Sequence, residues 1–429
     1  WQEFVFACSR YPTTDPVFLE NFRREATWNI RRLASHPSLV VWCGNNEMEW
    51  AMWDWGWDKS GQTLPDHAAF HYVIPRLLGQ EDPTRFYWPS SPFSPMGTHP
   101  NDDRVGDQHP WQVGFFTNDF REYRTRECRF PNEGGILGPN SLPTMQAAFG
   151  NMPRKIGSFT WQYHDNGVDS FAEPSPPNLM LEQWLSKRIY DLSLEEWAYF
   201  GGLLQGEALR EYTDNFRRRM FDTSSAIFWM YNDTWPTVRS WTIVDYFLRR
   251  TPSFHPVRRS MAPVNVVVAP ENGQVTVFGI NETREAISAD LRYGVFNIAG
   301  GYPIDRTVTV NIPPNASVRI ASFLKSDWKD PTSSIAFAVL SRNGETLARN
   351  KLILPLYKDL AGSPAEPGVK MVDGRAVLQS PTFAWGLCLD LAGEQPLPDN
   401  FFDLYPDQPY SIPWPSPTPP KILRVGNLI

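Results

Sequence analysis

Residues 36–50 read HPSLVVWCGNNEMEW. The apolar run Leu39-Val40-Val41-Trp42 stops at Cys43-Gly44, and two amides and a carboxylate follow, Asn45, Asn46 and Glu47. A carboxylate can give or take a proton, and two neighbouring amides can orient a hydroxyl. A short apolar run ended by glycine reads as a buried parallel strand. Polar groups just past the C-terminal end of such a strand sit where barrel enzymes keep their chemistry. The plainer reading is that Asn45 and Asn46 cap the following helix and that Glu47 is an acid of its first turn.

Holding such a group in place needs alternating strands and helices. Up to about Pro263 the sequence supplies them. Strand runs are read at 4–7, 39–42, 85–88, 127–130 and 226–230. The spacing of Phe18, Leu19, Phe22, Ile30 and Leu33 predicts a helix over 15–35. Further helical patterns cover 67–78 and 179–221, the latter expected to pack outside a barrel. This alternation implies a parallel sheet. After Pro263 the texture changes. Residues 265–268, 275–278, 306–310, 318–320 and 335–339 are β-rich and separated by Gly, Pro and Asn, as in an antiparallel sandwich. A break at 361–364 precedes a second small β-rich stretch that includes DNFFDLYPDQPYSIPW. The expected domains are 1–263, 264–360 and 361–429.

The totals exclude several classes. A chain of 429 residues that is 41% hydrophobic is too long for one core and suits two to four domains. Its net charge of −7 argues against nucleic acid, which needs clustered Lys and Arg. No run of 18 apolar residues suggests a membrane span. Cys8, Cys43, Cys128 and Cys388 form no CxxC, so neither a zinc nor a redox signature is present. The first three fall in or beside expected strands, where a free cysteine behaves as a small apolar residue.

The segment HPSLVVWCGNNE resembles the acid/base motif of glycoside hydrolase family 2, most closely its β-mannosidase branch. The resemblance implies that Glu47 is the general acid/base and that Asn46 contacts the sugar 2-hydroxyl. In ECRFPNEGGILGPNSLPT, residues 127–144, it puts the nucleophile on Glu133. Without the resemblance, Glu133 is a turn acid beside two glycines. The family more often has an aromatic residue after this glutamate, where this chain has Gly134-Gly135. The GDQHPW segment, 106–111, is similar to a family motif after strand six and implies roles for His109 and Trp111. FWMYNDTWP, 228–236, resembles the end of strand eight and brings in Trp229, Asn232 and Trp235 as substrate contacts. Tyr87-Trp88-Pro89-Ser90-Ser91-Pro92 resembles the end of strand five. His164 is expected to reach the sugar from the loop after strand seven. Of Trp53, Trp55 and Trp57, Trp55 is expected to wall the pocket, since indole packs on the apolar faces of sugar rings. For each of these contacts, packing is the competing explanation.

The resemblance implies a partial (β/α)8 TIM barrel, from about strand three to strand eight, followed by two immunoglobulin-like β-sandwich domains. It implies a retaining exo-β-glycosidase, foremost a β-mannosidase, acting on β-mannoside oligosaccharides or glycans with no metal or organic cofactor. The alternatives are an exo-β-glucosaminidase or another family 2 β-glycosidase, or a non-catalytic carbohydrate-binding protein on a degenerate hydrolase fold. The opening WQEFVFACSRYP is similar to the middle of the third barrel strand. This is therefore expected to be the C-terminal portion of a longer protein whose N-terminal part it needs. Cytoplasmic, periplasmic, secreted and lysosomal locations all stay open.

Overall fold

The computed structural model describes residues 1–57, 68–95, 97–166 and 176–427. The chain divides into two compact units. One holds residues 1–110, 127–133 and 223–225, and the other holds 111–126, 134–222 and 226–429.

The first unit is built on three parallel strands, β1 (Gln2–Glu3), β2 (Val41–Cys43) and β3 (Phe86–Trp88), in that order across the sheet. Gln2 faces Trp42, and Trp42 faces Tyr87. The same parallel path continues past the strands as the bridges Ala7–Asn46, Asn46–Ser91 and Gln108–Pro131. Three chain segments thus run side by side and end together at residues 7–8, 46–47 and 91. The helix α1 (Pro16–Leu33) starts where Asp15 accepts hydrogen bonds from the amides of Val17 and Phe18, a side-chain N-cap followed by proline at the first position. Arg31 and Arg32 in its last turn suit the negative end of the helix dipole. Its buried stripe, Phe22, Ala26 and Ile30, repeats every four residues and packs with Phe4, Phe6, Trp42 and Phe70. Two further helices belong to this unit, α2 (Met48–Asp54) and α3 (Ile74–Glu81). The pattern expected over 67–78 is a π-turn, Ala69–Val73, running into α3; His67 lies outside the described residues.

Two expected strands are absent, and the one expected at 4–7 stands instead at Gln2–Glu3, with only an isolated bridge at Ala7. Residues 127–130 form no ladder, and the pairing with residue 108 begins only at Pro131. Proline has no N–H to donate. The Gln108 side chain fills part of the gap by accepting from the Phe130 amide at 2.8 Å. Residues 226–230 are also irregular. There the Trp229 amide donates to the Gly134 carbonyl at 3.0 Å, and a Cβ on Gly135 would meet the Trp229 carbonyl oxygen at 2.5 Å. The Gly134-Gly135 pair is thus a point of close approach between backbones.

In the second unit the helical region splits into Pro176–Leu185, Leu194–Glu196 with a Ser193/Glu196 capping box, a π-turn at Trp197–Gly201, and Gly202–Arg218. The last helix is buried nearly all round rather than presenting an outer face. Its polar residues are therefore paired: Arg210 with Asp214 at 3.0 Å, Glu211 with Arg124 at 2.7 Å, and Glu207 with Lys351. Gly138–Pro139 (β4) and Arg239–Ser240 (β5) form a short antiparallel pair.

Beyond them come β6 (Val264–Glu271), β7 (Gln274–Asn281), β8 (Ile287–Asn297), β9 (Ile304–Ile312), β10 (Ala316–Leu324), β11 (Ser334–Arg342) and β12 (Glu345–Leu352). They make two antiparallel sheets, β6-β7-β10 and β9-β8-β11-β12, with one shared core from Val266 and Val277 to Leu291 and Ala338. The β6–β7 and β11–β12 hairpins turn on Asn272-Gly273 and Asn343-Gly344, all four at positive φ. The last part pairs β13 (Gly368–Val372), β14 (Arg375–Gln379) and β17 (Tyr410–Pro413) in one sheet, and β15 (Ala384–Leu387) with β16 (Phe402–Leu404) in another. Leu378, Leu387, Phe402, Leu404 and Ile412 form their common core. Among the described residues no helix is long and apolar enough to cross a membrane.

Candidate active site

The converging strand ends of the first unit bring Glu47, Glu133, His109, Asn46 and Cys8 together. Glu47 follows β2 directly, in left-handed backbone geometry with φ 63°, and Cys8 follows the β1 segment at φ 41°. Such geometry costs a non-glycine residue about 1–3 kcal/mol and persists only where neighbours impose it. Here the neighbouring strands impose it. The Glu47 amide donates to the Ser91 carbonyl at 2.7 Å, and the Cys8 amide donates to the Asn46 carbonyl at 3.1 Å.

Each oxygen of the Glu47 carboxylate has a partner. Oε1 lies 2.8 Å from His109 Nδ1, and Oε2 accepts from the Cys8 thiol at 3.2 Å. The same His109 Nδ1 lies 3.4 Å from Glu133 Oε2. Both glutamates are 8% exposed and His109 is 0% exposed. One donor or acceptor atom of each of Glu47, Glu133 and His109 lies within 4.8 Å of the others, and among the described residues no other trio of this kind converges so. Paired carboxylates about 5 Å apart can act as acid/base and nucleophile; a pair working through an interposed water stands about 6.5–9.5 Å apart.

Behind the imidazole lies a buried polar chain. His109 Nε2 is 2.9 Å from Ser91 Oγ, which is 2.6 Å from Asp107 Oδ2 and accepts from Asn132 Nδ2 at 2.8 Å. Asp107 Oδ1 accepts from the Trp88 indole at 2.7 Å and from the Phe93 amide at 2.9 Å. Burial disfavours charge on His109, but the carboxylates of Glu133 and Glu47, with Asp107 behind, outweigh it and raise its pKa to about 9. Burial, and then the Glu47 charge, push the Cys8 thiol well above its ordinary range.

The two amides separate by role. Asn45 is the structural one: its Oδ1 accepts from the Met48 amide and from Ser90 Oγ, and its Nδ2 donates to the Pro89 carbonyl. Asn46 donates weakly to Cys8 Sγ, while its buried Oδ1 has no hydrogen-bond partner among the described residues. A buried acceptor left unmade costs free energy, so it suits a donor arriving with a ligand.

Trp55 sits on the same unit, 39% exposed, with ring centroids 5.9 Å from Trp50 and 6.0 Å from Trp57. The other five expected contacts belong to the second unit. Trp111 is buried against Phe115 and Trp241. His164 stacks on Trp235 and has Nδ1 2.9 Å from the Pro236 carbonyl. Trp229 and Trp235 are about 40% exposed, and Asn232 Nδ2 donates to the Asp233 carbonyl.

The ring of His109 is fully buried, with both nitrogens against protein groups. One expectation needs correction. Cys8 is not a small core residue but an exposed thiol against Glu47. Ser91, Asp107 and Asn132 received no role from the sequence. Ser91 and Asp107 lay inside segments already singled out, so their polar character just past a strand end was the available signal.

Residues 273–359 match the family model of the mannosidase Ig/CBM-like domain. The chain is 28% identical over 383 residues to β-mannosidase B of Aspergillus clavatus, covering 82% of this chain and 44% of that protein. It is 32% identical over 288 residues to β-mannosidase B of Neosartorya fischeri, covering 63% of this chain and 33% of that one. Among solved structures it matches the β-D-mannosidase of Dictyoglomus thermophilum with a TM-score of 0.84 and 29% identity, over 98% of this chain and 51% of that chain. The exo-chitosanase of Amycolatopsis orientalis shares the fold at a TM-score of 0.61 and 16% identity. The chain spans about half the length of the relatives it matches most extensively.

Proposed function

We propose that this β-mannosidase-like chain, with the multidomain fold of glycoside hydrolase family 2, belongs to a retaining exo-β-glycosidase that removes terminal non-reducing β-D-mannose. Glu47 is the acid/base in this reading and Glu133 the nucleophile. The observation that carries it is the convergence of the two buried carboxylates within 4.8 Å, just past the parallel bridges Asn46–Ser91 and Gln108–Pro131. Glu133 attacks the anomeric carbon while Glu47 protonates the departing oxygen. Glu47, then a carboxylate, takes a proton from the water that hydrolyses the glycosyl ester. Asn46 Oδ1, buried and unpartnered, accepts from a sugar hydroxyl. Trp55 walls the pocket. Residues 1–263 are read as six strands of a (β/α)8 barrel, and 264–360 and 361–429 as two immunoglobulin-like sandwiches. Activity requires further chain of the same protein, a reading supported by relatives about twice as long.

The test uses the full-length protein with a panel of aryl β-glycosides, following early product by proton NMR. Turnover of the β-mannoside with first release of the β-anomer is expected. Release of the α-anomer first would overturn retention. If β-mannoside were the poorest substrate and β-glucosaminide the best, the branch would be wrong. Binding of mannosides with no turnover would favour the carbohydrate-binding alternative.

A further inference from the structure

We infer that His109 is a permanently charged positioning residue: one imidazolium N–H serves both catalytic carboxylates and balances the negative charge as it passes from Glu133 to Glu47 and back. The inference rests on the proposed roles of Glu47 and Glu133 and adds the group that couples them.

Counting protons around the ring gives the charge. Burial raises the pKa of Asp107, and the His109 charge with the bonds from Ser91, the Trp88 indole and the Phe93 amide works against that rise; with the carboxyl ionised, its Oδ2 can only accept. Ser91 must then spend its single O–H on Asp107. Its oxygen is left as an acceptor, taking one bond from Asn132 Nδ2. His109 Nε2, 2.9 Å from that oxygen, therefore carries a proton. On the other side of the ring, Nδ1 faces Oε1 of Glu47 at 2.8 Å and Oε2 of Glu133 at 3.4 Å. With Glu133 ionised for attack, Nδ1 is a donor as well. Both nitrogens protonated means imidazolium. The charged groups that act most on the ring are Glu133, Glu47 and Asp107, and the ring in turn acts on Glu3.

This arrangement fits a double displacement. For the first step the acid role requires a protonated Glu47 and the nucleophile role an ionised Glu133, while His109 stays cationic. Because the imidazolium occupies Glu47 Oε1, the acid's proton rides on Oε2, next to the weakly donating Cys8 thiol. As the glycosidic bond breaks, its electron pair goes to the leaving oxygen, which takes the proton from Oε2. Glu133 forms the ester and loses its charge, and Glu47 gains one. The same N–H already faces both, so no cation has to move. Hydrolysis reverses the transfer. Water gives its proton to Glu47, its oxygen bonds to the anomeric carbon, and the ester electrons return to Glu133.

The experiment is the pH dependence of kcat/KM for wild type and His109→Asn in the full-length protein. The asparagine keeps a neutral donor near the Nδ1 position and removes the charge. A nearby cation lowers a carboxylate's pKa by about 1–3 units. Its loss should move both limbs of the bell upward by about one pH unit or more, since the nucleophile must be ionised and the acid protonated. A lower bell with unmoved limbs would show a merely structural role and overturn the inference. Should the variant fail to fold, nitrogen-15 NMR of the wild-type histidines at pH 7 decides the matter, free and after trapping with a 2-fluoro-mannosyl fluoride. Both His109 nitrogens protonated in both states is expected; a neutral ring in either overturns it. Azide rescue of Glu47→Ala and Glu133→Ala tests the underlying roles separately. If those roles hold and the limbs do not move, only the inference fails.

Discussion

At the residue scale, Glu47 and Glu133 are alike in type and burial and differ in what they are asked to do. The difference should appear when each is removed. Glu133→Ala abolishes glycosyl-enzyme formation with any leaving group, and azide entering the vacated face should give product of inverted configuration. Glu47→Ala removes the proton donor. A dinitrophenyl leaving group needs little protonation, so its first step should be largely spared and the glycosyl-enzyme should accumulate. Azide then relieves the second step with retention. Product stereochemistry in the full-length variants is the measurement, and exchanged outcomes would reverse the assignment.

The element that brings Glu47 to the site is β2, but its orientation depends on neighbours. Asn45 accepts from the Met48 amide at the start of α2 and ties it to residues 89–90, and the Ser91 carbonyl fixes the Glu47 amide. The helix α1 supports this from behind by covering the sheet with Phe22, Ala26 and Ile30. Its start rests on one side chain. Asp15→Ala should cost about 1 kcal/mol through the two lost cap bonds, while Asp15→Asn should retain most of the stability. Urea unfolding followed by circular dichroism checks this, and equal losses in both variants would show that the cap contributes nothing.

At the scale of the whole molecule, exposed apolar side chains lie along three neighbouring strand segments, Val5 at 69%, Val40 at 64% and Phe86 at 60% exposure. Such surface is stabilised by cover, at about 25 cal/mol for each Å² taken from water. Together with the length of the relatives, this leads to a prediction about activity. This chain alone should show no mannoside turnover, and the full-length protein should show it. Equal turnover per molecule in the two preparations would overturn the requirement for further chain. His109 also ties the site to stability. Its folded-state pKa of about 9 stands above the ordinary 6.5. The folded protein therefore holds that proton more tightly than the unfolded chain does. The stabilisation is fully present below about pH 6.5 and is lost as pH rises through about 9.

The local pattern of the sequence carried much of this. The apolar run ending in Gly44, the period of α1 and the Asn-Gly turns of the sandwich are set by side chains a few residues apart, so they can be read without the fold. Residues 36–50 offered Glu47 with the amides Asn45 and Asn46 by type and position, and the motif resemblance chose Asn46 and named Glu133. Tertiary structure alone decided the rest. Cys128-Arg129-Phe130 join no ladder and the bridge to Gln108 is made only at Pro131, because pairing depends on the partner's hydrogen bonds. Gly202–Arg218 is buried on all sides because chain from both before and after it packs there. The union of His109, Glu47 and Glu133 on one nitrogen, with Ser91 and Asp107 behind, joins strand ends far apart in sequence. No local pattern encodes it, since the distances that set the charge on His109 exist only once the strands lie side by side.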